Sequence, residues 1–265
     1  MFRAFKNLKR EKVGLALGGG AARGFAHVGV LKVLSKNNIP IDYISGTSAG
    51  SIVGALYAAK VPIATIEKVA MMLSGIEFVM PSFSFAGLND SGVISNFLKP
   101  YLGNKTFKDL DIPLTVIVTD VKTGKEVIID SGLVREAVQA SSSYPVVYTP
   151  TEINGQIYID GGFTNNLPIS PVKKMGADFV IAVDVIPEVT LKKVPQDVVS
   201  IMNRAQDILL KRTHSLDSKD ADIILYPITE SVRAYDLRDQ RKIITLGEKC
   251  AENMIQEIKR KLKKR

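Results

Sequence analysis

Ser48 stands in Gly46-Thr47-Ser48-Ala49-Gly50, a serine with glycines two residues to either side, between a short apolar run and a long apolar one. A serine at a sharp strand-to-helix turn sits in a strained backbone. Its flanking positions must lack side chains so that neighbouring chain can close on them, and the hydroxyl is left exposed. The unpaired amides that open the following helix favour developing negative charge. Ester or amide hydrolysis by serine needs a nucleophile, a base and donors for the oxyanion. The donors suggested upstream are the amides of Gly18-Gly19-Gly20-Ala21, a run without bulky side chains at the start of a helix. For the base, Asp160 precedes Gly161 and Gly162 at a strand end, where it can present its carboxylate at the edge from which Ser48 emerges. On the residues alone, the serine pentapeptide reads equally as an ordinary turn, and Asp160 reads slightly better as a plain Asp-Gly turn. The histidines offer less. His27 falls among Phe25, Val28 and Val30 in a helical pattern and reads as structural, while His214 lies in a polar helix end and reads as a surface or capping residue.

The elements that must position these groups follow from hydrophobic spacing. Residues 13–17 form an apolar run that enters the glycine loop, after which Phe25, Val28, Leu31 and Leu34 recur at helical spacing. A second strand, 41–45, delivers the chain into the serine turn. The helix beyond it carries Ile52, Val53, Leu56 and Tyr57 and ends before Pro62, with further helix over 63–73. This alternation predicts an α/β fold with a mainly parallel central sheet covered by helices on both faces. Residues 71–88 are apolar but aperiodic and read either as a buried loop or as a cap over an apolar site. Strands are expected at 114–121 and 125–130 around Thr123-Gly124, and at 146–151 and 156–159 around Asn154-Gly155, with a helix at 133–141 between the hairpins. A helix from Pro168 to Gly176, a buried strand at 179–183, a helix at 198–215 and a strand at 222–227 complete the alternation. A final helix puts Ile243, Leu246, Cys250, Met254, Ile258 and Leu262 on one face.

At 265 residues and 46% hydrophobic, the chain can bury one sizeable core. The net charge of +8 is unevenly spread: residues 1–12 carry +4, residues 259–265 carry +6, and the rest sums to −2. We therefore expect one domain, 13–258, between a basic N-terminal tail and a basic C-terminal tail, and no nucleic-acid groove. Phe2, Phe5 and Leu8 recur among cations, as a short interfacial helix requires, so contact of the tails with an anionic membrane surface is expected beside the plainer reading of solubilising ends. A single cysteine fits a reducing compartment. The longest uncharged run, 17 residues at 43–59, is short of a bilayer span. With no apolar leader at the N-terminus, these features suggest a cytoplasmic protein, peripheral at the inner membrane surface.

In this order, Gly18 to Gly24, then Gly46 to Gly50, then Asp160-Gly161-Gly162, the motifs resemble the patatin-like phospholipases, a family of lipid acyl hydrolases. The likeness spans residues 13–186 and takes in the helix from Gly24 to Leu31, Ala140-Ser141 with Pro145, and Asn166-Leu167-Pro168. It implies a patatin-like fold and a Ser48-Asp160 dyad without histidine. It also implies an oxyanion hole in the loop Gly18, Gly19, Gly20 and Ala21, Arg23 as a basic residue at the substrate, and no metal or cofactor. The third position of the loop is Ala21 where many members have glycine, and alanine still donates its amide. The implied substrate is a lipid acyl ester. Two rivals remain: a dinucleotide-binding enzyme, disfavoured because Asp42 lies at the start of its strand and not at the end, and a catalytically idle interaction protein on the same fold.

Overall fold

The computed structural model describes residues 10–72, 92–145, 147–187, 194, 196, 198–214, 218–228 and 239–264; the side chains of 198–200, 202, 203, 206, 213, 214 and 264 lie outside the description. The apolar runs form the expected strands. β1 (Val13–Leu17) is buried along its whole length and pairs in parallel with β2 (Tyr43–Thr47) on one side and β7 (Phe179–Val183) on the other. β3 (Leu114–Asp120) extends the parallel set beyond β2, and β8 (Ile223–Leu225) extends it beyond β7. β4 (Glu126–Ile129), β5 (Thr151–Ile153) and β6 (Gln156–Asp160) add the antiparallel pairings. The sheet is mainly parallel, as expected. Its two hairpins turn where the sequence suggests, with positive φ at Asn154 and Gly155 in the second and at Gly124 in the first.

Register decides where the site lies. Each strand has two edges, and β3 uses one of them for β4, whose Ile129 to Glu126 pair with Val116 to Thr119. The other edge is shared end to end. Residues 114–117 of β3 pair with β2, whose last residue Thr47 faces Ile117; residues 118–120 pair with β6, whose last residue Asp160 faces Val118. The ends of β2 and β6 therefore meet on adjacent residues of one strand, and the residue after Thr47 is Ser48.

The helices α1 (Phe25–Lys36), α2 (Ala49–Ala58), α3 (Ile63–Met72), α4 (Val93–Leu102), α5 (Val134–Ser141) and α8 (Gln240–Lys264) close the larger core, into which Val13, Leu15 and Leu17 point. On the opposite face Ala16, Val180 and Ala182 pack beneath α6 (Ile169–Lys174). α1 and α8 meet backbone to backbone: a Cβ on Gly29 would stand 2.0 Å from the Ile244 carbonyl oxygen, and one on Gly247 2.0 Å from that of Ala26. The buried stripe of α8 follows that contact. Ile243, Ile244, Ala251, Ile255 and Ile258 are buried, whereas Leu246, Cys250, Met254 and Leu262 of the expected face are its half-buried border.

α4 was not anticipated. It contains Pro100 in its last turn, where the missing N–H forfeits one bond. Its first amides are satisfied from a distance: Gln139 Oε1 accepts from Ile94 N at 2.9 Å and Ser95 N at 3.1 Å. The expected strand at 146–151 forms only from Thr151, and β2 begins two residues later than expected. Most of the aperiodic stretch 71–88 and the N-terminal interfacial helix lie outside the described residues. At the described ends, most of the cations are engaged. Arg10 forks onto Asp42 with two bonds of 2.7 Å and Lys12 joins it at 3.1 Å. Burial works against the Asp42 charge, yet Arg10, the Val13 amide and Lys12 hold its carboxyl down to about 2. Residues 259–264 are the last turns of α8: Lys259 Nζ donates to Asn37 Oδ1 at 2.7 Å and Lys261 Nζ to the Asp222 carbonyl at 2.7 Å.

Candidate active site

Ser48 occupies φ 51°, ψ −124°, a conformation unfavourable for a residue with a side chain. The surroundings hold it there. Its amide donates to Ser141 Oγ at 2.8 Å, and Ser141 donates in turn to the Ile117 carbonyl at 2.6 Å. Its carbonyl accepts from Ser51 N at 2.8 Å, Ile52 N at 3.2 Å and Ser51 Oγ at 2.6 Å. The flanking glycines are steric necessities: a Cβ on Gly50 would lie 2.2 Å from the Leu17 carbonyl oxygen, and one on Gly46 2.7 Å from Ser51 Cα. The Ser48 hydroxyl is hydrogen-bonded to the carboxylate of Asp160.

Asp160 is buried at the end of β6, and its Oδ1 accepts from Gly162 N at 2.8 Å. A Cβ on Gly161 would stand 2.2 Å from the Ile117 carbonyl oxygen, so the turn after the aspartate must begin with glycine to clear β3. Burial pushes the Asp160 carboxyl up to about 6, against the downward pull of its hydrogen bonds from Ser48 and Gly162. Ser48 and Asp160, read from separate motifs, are thus brought together, and no histidine touches either among the described contacts. His27 lies elsewhere. It is fully buried, and its Nε2 donates to the Gly18 carbonyl at 2.7 Å. Burial lowers its pKa to about 4, outweighing the opposing effects of that bond and of Asp184. It is a strut for the glycine loop, as its sequence context suggested.

The glycine loop is narrower in chemistry than its four expected donors. Gly18 N is bonded to the Val183 carbonyl and Gly19 N to the Asn166 carbonyl, each at 3.1 Å. Ser48 N is likewise engaged with Ser141, so it cannot serve as the helix-start donor its position suggested. Among the described residues, Gly20 and Ala21 N–H have no protein partner, and both residues line the cavity beside Ser48. Ala21 takes φ 50°, the turn for which a glycine would be the easier residue.

Arg23 departs from expectation. Its guanidinium is buried and forks onto Asp207 of α7 (Val198–His214), at 2.6 and 2.9 Å, and it is not part of the cavity lining. It ties a helix to the loop. The motifs did not single out two residues that the structure places here. Ser141 fixes the Ser48 amide. Asn166 bonds Gly19 in both directions, its carbonyl accepting from Gly19 N and its Nδ2 donating to the Gly19 carbonyl at 3.0 Å, which locks the glycine loop to the chain after Asp160. Both lie in stretches already quoted for the resemblance.

Ser48 and Asp160 line a cavity that holds about 1290 Å³ of empty space, part of it open to solvent. Polar groups gather at its head, where Ser142, Tyr144 and Asn166 join the pair. Its remaining walls are largely apolar, from Phe25 and Val28 of α1, Ile52, Val53 and Leu56 of α2, Ile66, Val69 and Ala70 of α3, and Ile94 and Phe97 of α4. Leu209 and Leu210 of α7 complete it beside Phe163, whose ring stacks on Tyr144 at 5.5 Å.

Fold and site together define an α/β protein with a glycine-flanked serine at a strand-to-helix turn, facing a buried carboxylate at the head of an apolar channel. The family profile described as patatin-like phospholipase matches residues 15–173, and the chain belongs to that family. It is 35% identical over 174 residues to an uncharacterised NTE family protein of Mycobacterium tuberculosis, covering 65% of this chain and 48% of the relative. Against the lysophospholipase NTE1 of Yarrowia lipolytica it is 33% identical over 189 residues, covering 67% of this chain and 13% of that protein. The chain thus spans about half of the mycobacterial relative and a small part of the fungal one. Among solved structures, VipD from Legionella pneumophila superposes with a TM-score of 0.56 at 13% identity, over 94% of this chain and 67% of that one. Human GIVD cytosolic phospholipase A2, in complex with a methyl gamma-linolenyl fluorophosphonate inhibitor, gives 0.53 at 12% identity, over 100% and 61%. At these identities the likeness is one of fold.

Proposed function

We propose that the protein is a metal-independent serine lipid acyl hydrolase that cleaves a carboxylic ester through Ser48 and Asp160. The observation that carries this reading is the hydrogen bond from the Ser48 hydroxyl to a buried carboxylate at the head of an apolar channel. Membership of the patatin-like phospholipases and the lysophospholipase relatives support the substrate class. Ser48 Oγ attacks the ester carbonyl carbon while its proton passes to Asp160, and the Gly20 and Ala21 amides receive the charge on the carbonyl oxygen. Collapse of the tetrahedral intermediate breaks the bond to the alcohol, which takes the proton back from Asp160 and leaves an acyl-Ser48 ester. Water then attacks that ester, losing its proton to Asp160, and the carboxylic acid is released as Ser48 recovers a proton. A carboxylate of pKa about 6 is a stronger base than an ordinary aspartate, though far weaker than an alkoxide. Much of the rate must therefore come from the amide donors, each typically worth about 10² to 10³ in rate.

The acyl chain lies along α2. From Ala49 to Leu56 the helix lines the channel for two turns, about 10 Å at the α-helical rise. Attraction of the basic ends to an anionic lipid surface, in a cytoplasmic setting, belongs to the same reading. The test is a panel of acyl esters and lipid extracts, compared between wild type and Ser48→Ala, with a serine-directed phosphonate to map the labelled residue. Loss of hydrolysis in a folded Ser48→Ala protein and labelling at Ser48 are expected. Activity retained without Ser48 would overturn the mechanism, and a protein neither active nor labelled would be the idle binding protein of the same fold.

A further inference from the structure

Among the described side chains of α7, charged groups are turned inward beside Leu210 and large apolar ones are turned outward. Its inward face carries charge: Asp207 is buried against Arg23, and Lys211 Nζ donates to the buried Asp184 at 2.8 Å while lying 5.1 Å from the centre of the Tyr226 ring. Its described outward side chains are apolar except for Arg212. Ile201, Ile208 and Leu209 are 48%, 47% and 43% exposed, and with exposed Ala205 and Arg212 they fall at i, i+4, i+7, i+8 and i+11, a single side of a helix. A helix folded only for a watery surroundings places these groups in the reverse order. The stripe also continues into the site, because Leu209 and its neighbour Leu210 are part of the cavity wall beside Phe163.

We infer that the outward face of α7 is a docking face for an anionic phospholipid bilayer, which sets the mouth of the cavity against the lipid surface. The choice of occupant rests on the proposed lipid substrate and on two observations. The apolar stripe is continuous with the apolar cavity, so a lipid leaving the bilayer along it meets apolar surface from one to the other. Arg204 and Arg212 sit on the helix beside the isoleucines, as cations do where a helix lies among anionic headgroups. The inward ion pairs then have a purpose: Arg23–Asp207 and Lys211–Asp184 hold the helix to the body through charge and leave its apolar residues for the membrane.

The test uses the full chain carrying Ser48→Ala, co-sedimented with vesicles of equal parts phosphatidylcholine and phosphatidylserine, with and without Ile201→Asp and Ile208→Asp. Neither isoleucine lines the cavity. The double variant should lose about tenfold or more of its vesicle partition, since two apolar contacts are replaced by two charges of the membrane's own sign. With Ser48 restored, its hydrolysis of a water-soluble short-chain ester should stay within about twofold of wild type, by the independence of distant sites. Ile208→Trp, which keeps the face apolar, should strengthen binding. Unchanged partition in both variants, or a dimer that the aspartates convert to monomer, would overturn the docking face, the second by showing that the occupant is another copy of the chain. Vesicle binding that depends on α7 in a protein without Ser48-dependent hydrolysis would leave the docking face standing and remove the proposed activity alone.

Discussion

Burial acts on Asp160 and His27 in opposite senses, with measurable consequences. Asp160 has a folded pKa of about 6 against an ordinary 3.8, so between these values the folded chain binds a proton that the unfolded chain has released. Its contribution to stability therefore improves as pH falls from 6 to 4 and is unfavourable above, on the order of 3 kcal/mol. His27 has a folded pKa of about 4 against 6.5, so the unfolded chain protonates first and stability is lost, by a similar amount, as pH falls from 6.5 to 4. In the wild type the two nearly cancel. Asp160→Asn should melt above wild type near neutral pH and then lose stability steeply between pH 6.5 and 4, a comparison that thermal melts across pH can make. The same variant should abolish ester hydrolysis. In the wild type, kcat/KM should fall tenfold per pH unit below about 6, because only the carboxylate can take the Ser48 proton. A flat profile down to pH 4 would exclude Asp160 as the base.

At the scale of elements, the site is an agreement between loops. The glycine loop is fixed by His27 at Gly18 and by Asn166 at Gly19, and its next residues, Gly20 and Ala21, line the cavity with no protein partner for their amides among the described residues. α7 is fixed to the same loop by Arg23. Asp207→Asn leaves the guanidinium buried opposite a neutral group, a loss typically of about 3 to 5 kcal/mol. The expected outcome is loosening of α7, read as faster protease cleavage between residues 198 and 214, with Ser48-dependent cleavage of a short-chain ester largely kept. The α2 channel makes a different prediction. Leu56 lies at the end of its lining run, so Leu56→Phe should shorten the space for an acyl chain. The expected shift is a fall of about tenfold or more in kcat/KM for long-chain relative to short-chain esters, with an overpacking cost of about 1 to 3 kcal/mol in the melt. Equal effects on all chain lengths would place the acyl group elsewhere.

Across the whole molecule, the charge division seen in the sequence is only partly free to act. Arg10 and Lys12 are drawn onto Asp42, and Lys259 and Lys261 are bonded to the body beneath α8, while Arg260 pairs with Glu257. Cations that already hold the fold together attract a membrane less than their number suggests. Removal of residues 1–9 is accordingly the cleaner test of the basic ends. It should weaken binding to anionic vesicles at low salt, by roughly 1 kcal/mol for each cation that had reached the surface, and leave neutral vesicles unaffected. Cutting at 259 would instead unfasten α8. No described helix is long and apolar enough to cross a membrane.

Much of this protein was determined by local sequence. The strand, glycine loop and helix from Val13 to Lys36, the serine turn, the Asn154-Gly155 hairpin and the all-apolar β7 are each set by short-range rules of spacing, turn conformation and close packing, which a sequence states directly. Ser48 and Asp160 stand out as candidates for the same reason, since each stands in a turn that only glycine neighbours permit, but turn chemistry leaves both open as plain turns and only the resemblance pairs them. The tertiary structure decided what depends on a partner far along the chain. It meets β2 and β6 on one edge of β3, gives Gly18, Gly19 and Ser48 amides to Val183, Asn166 and Ser141, and leaves Gly20 and Ala21 for the cavity. It turns Arg23 away to Asp207, starts α4 on the side chain of Gln139, and centres the α8 stripe on Gly247. Hydrophobic period and turn chemistry are local, whereas the partner of a hydrogen-bond donor or a cation is whichever group folding brings within 3 Å or so of it.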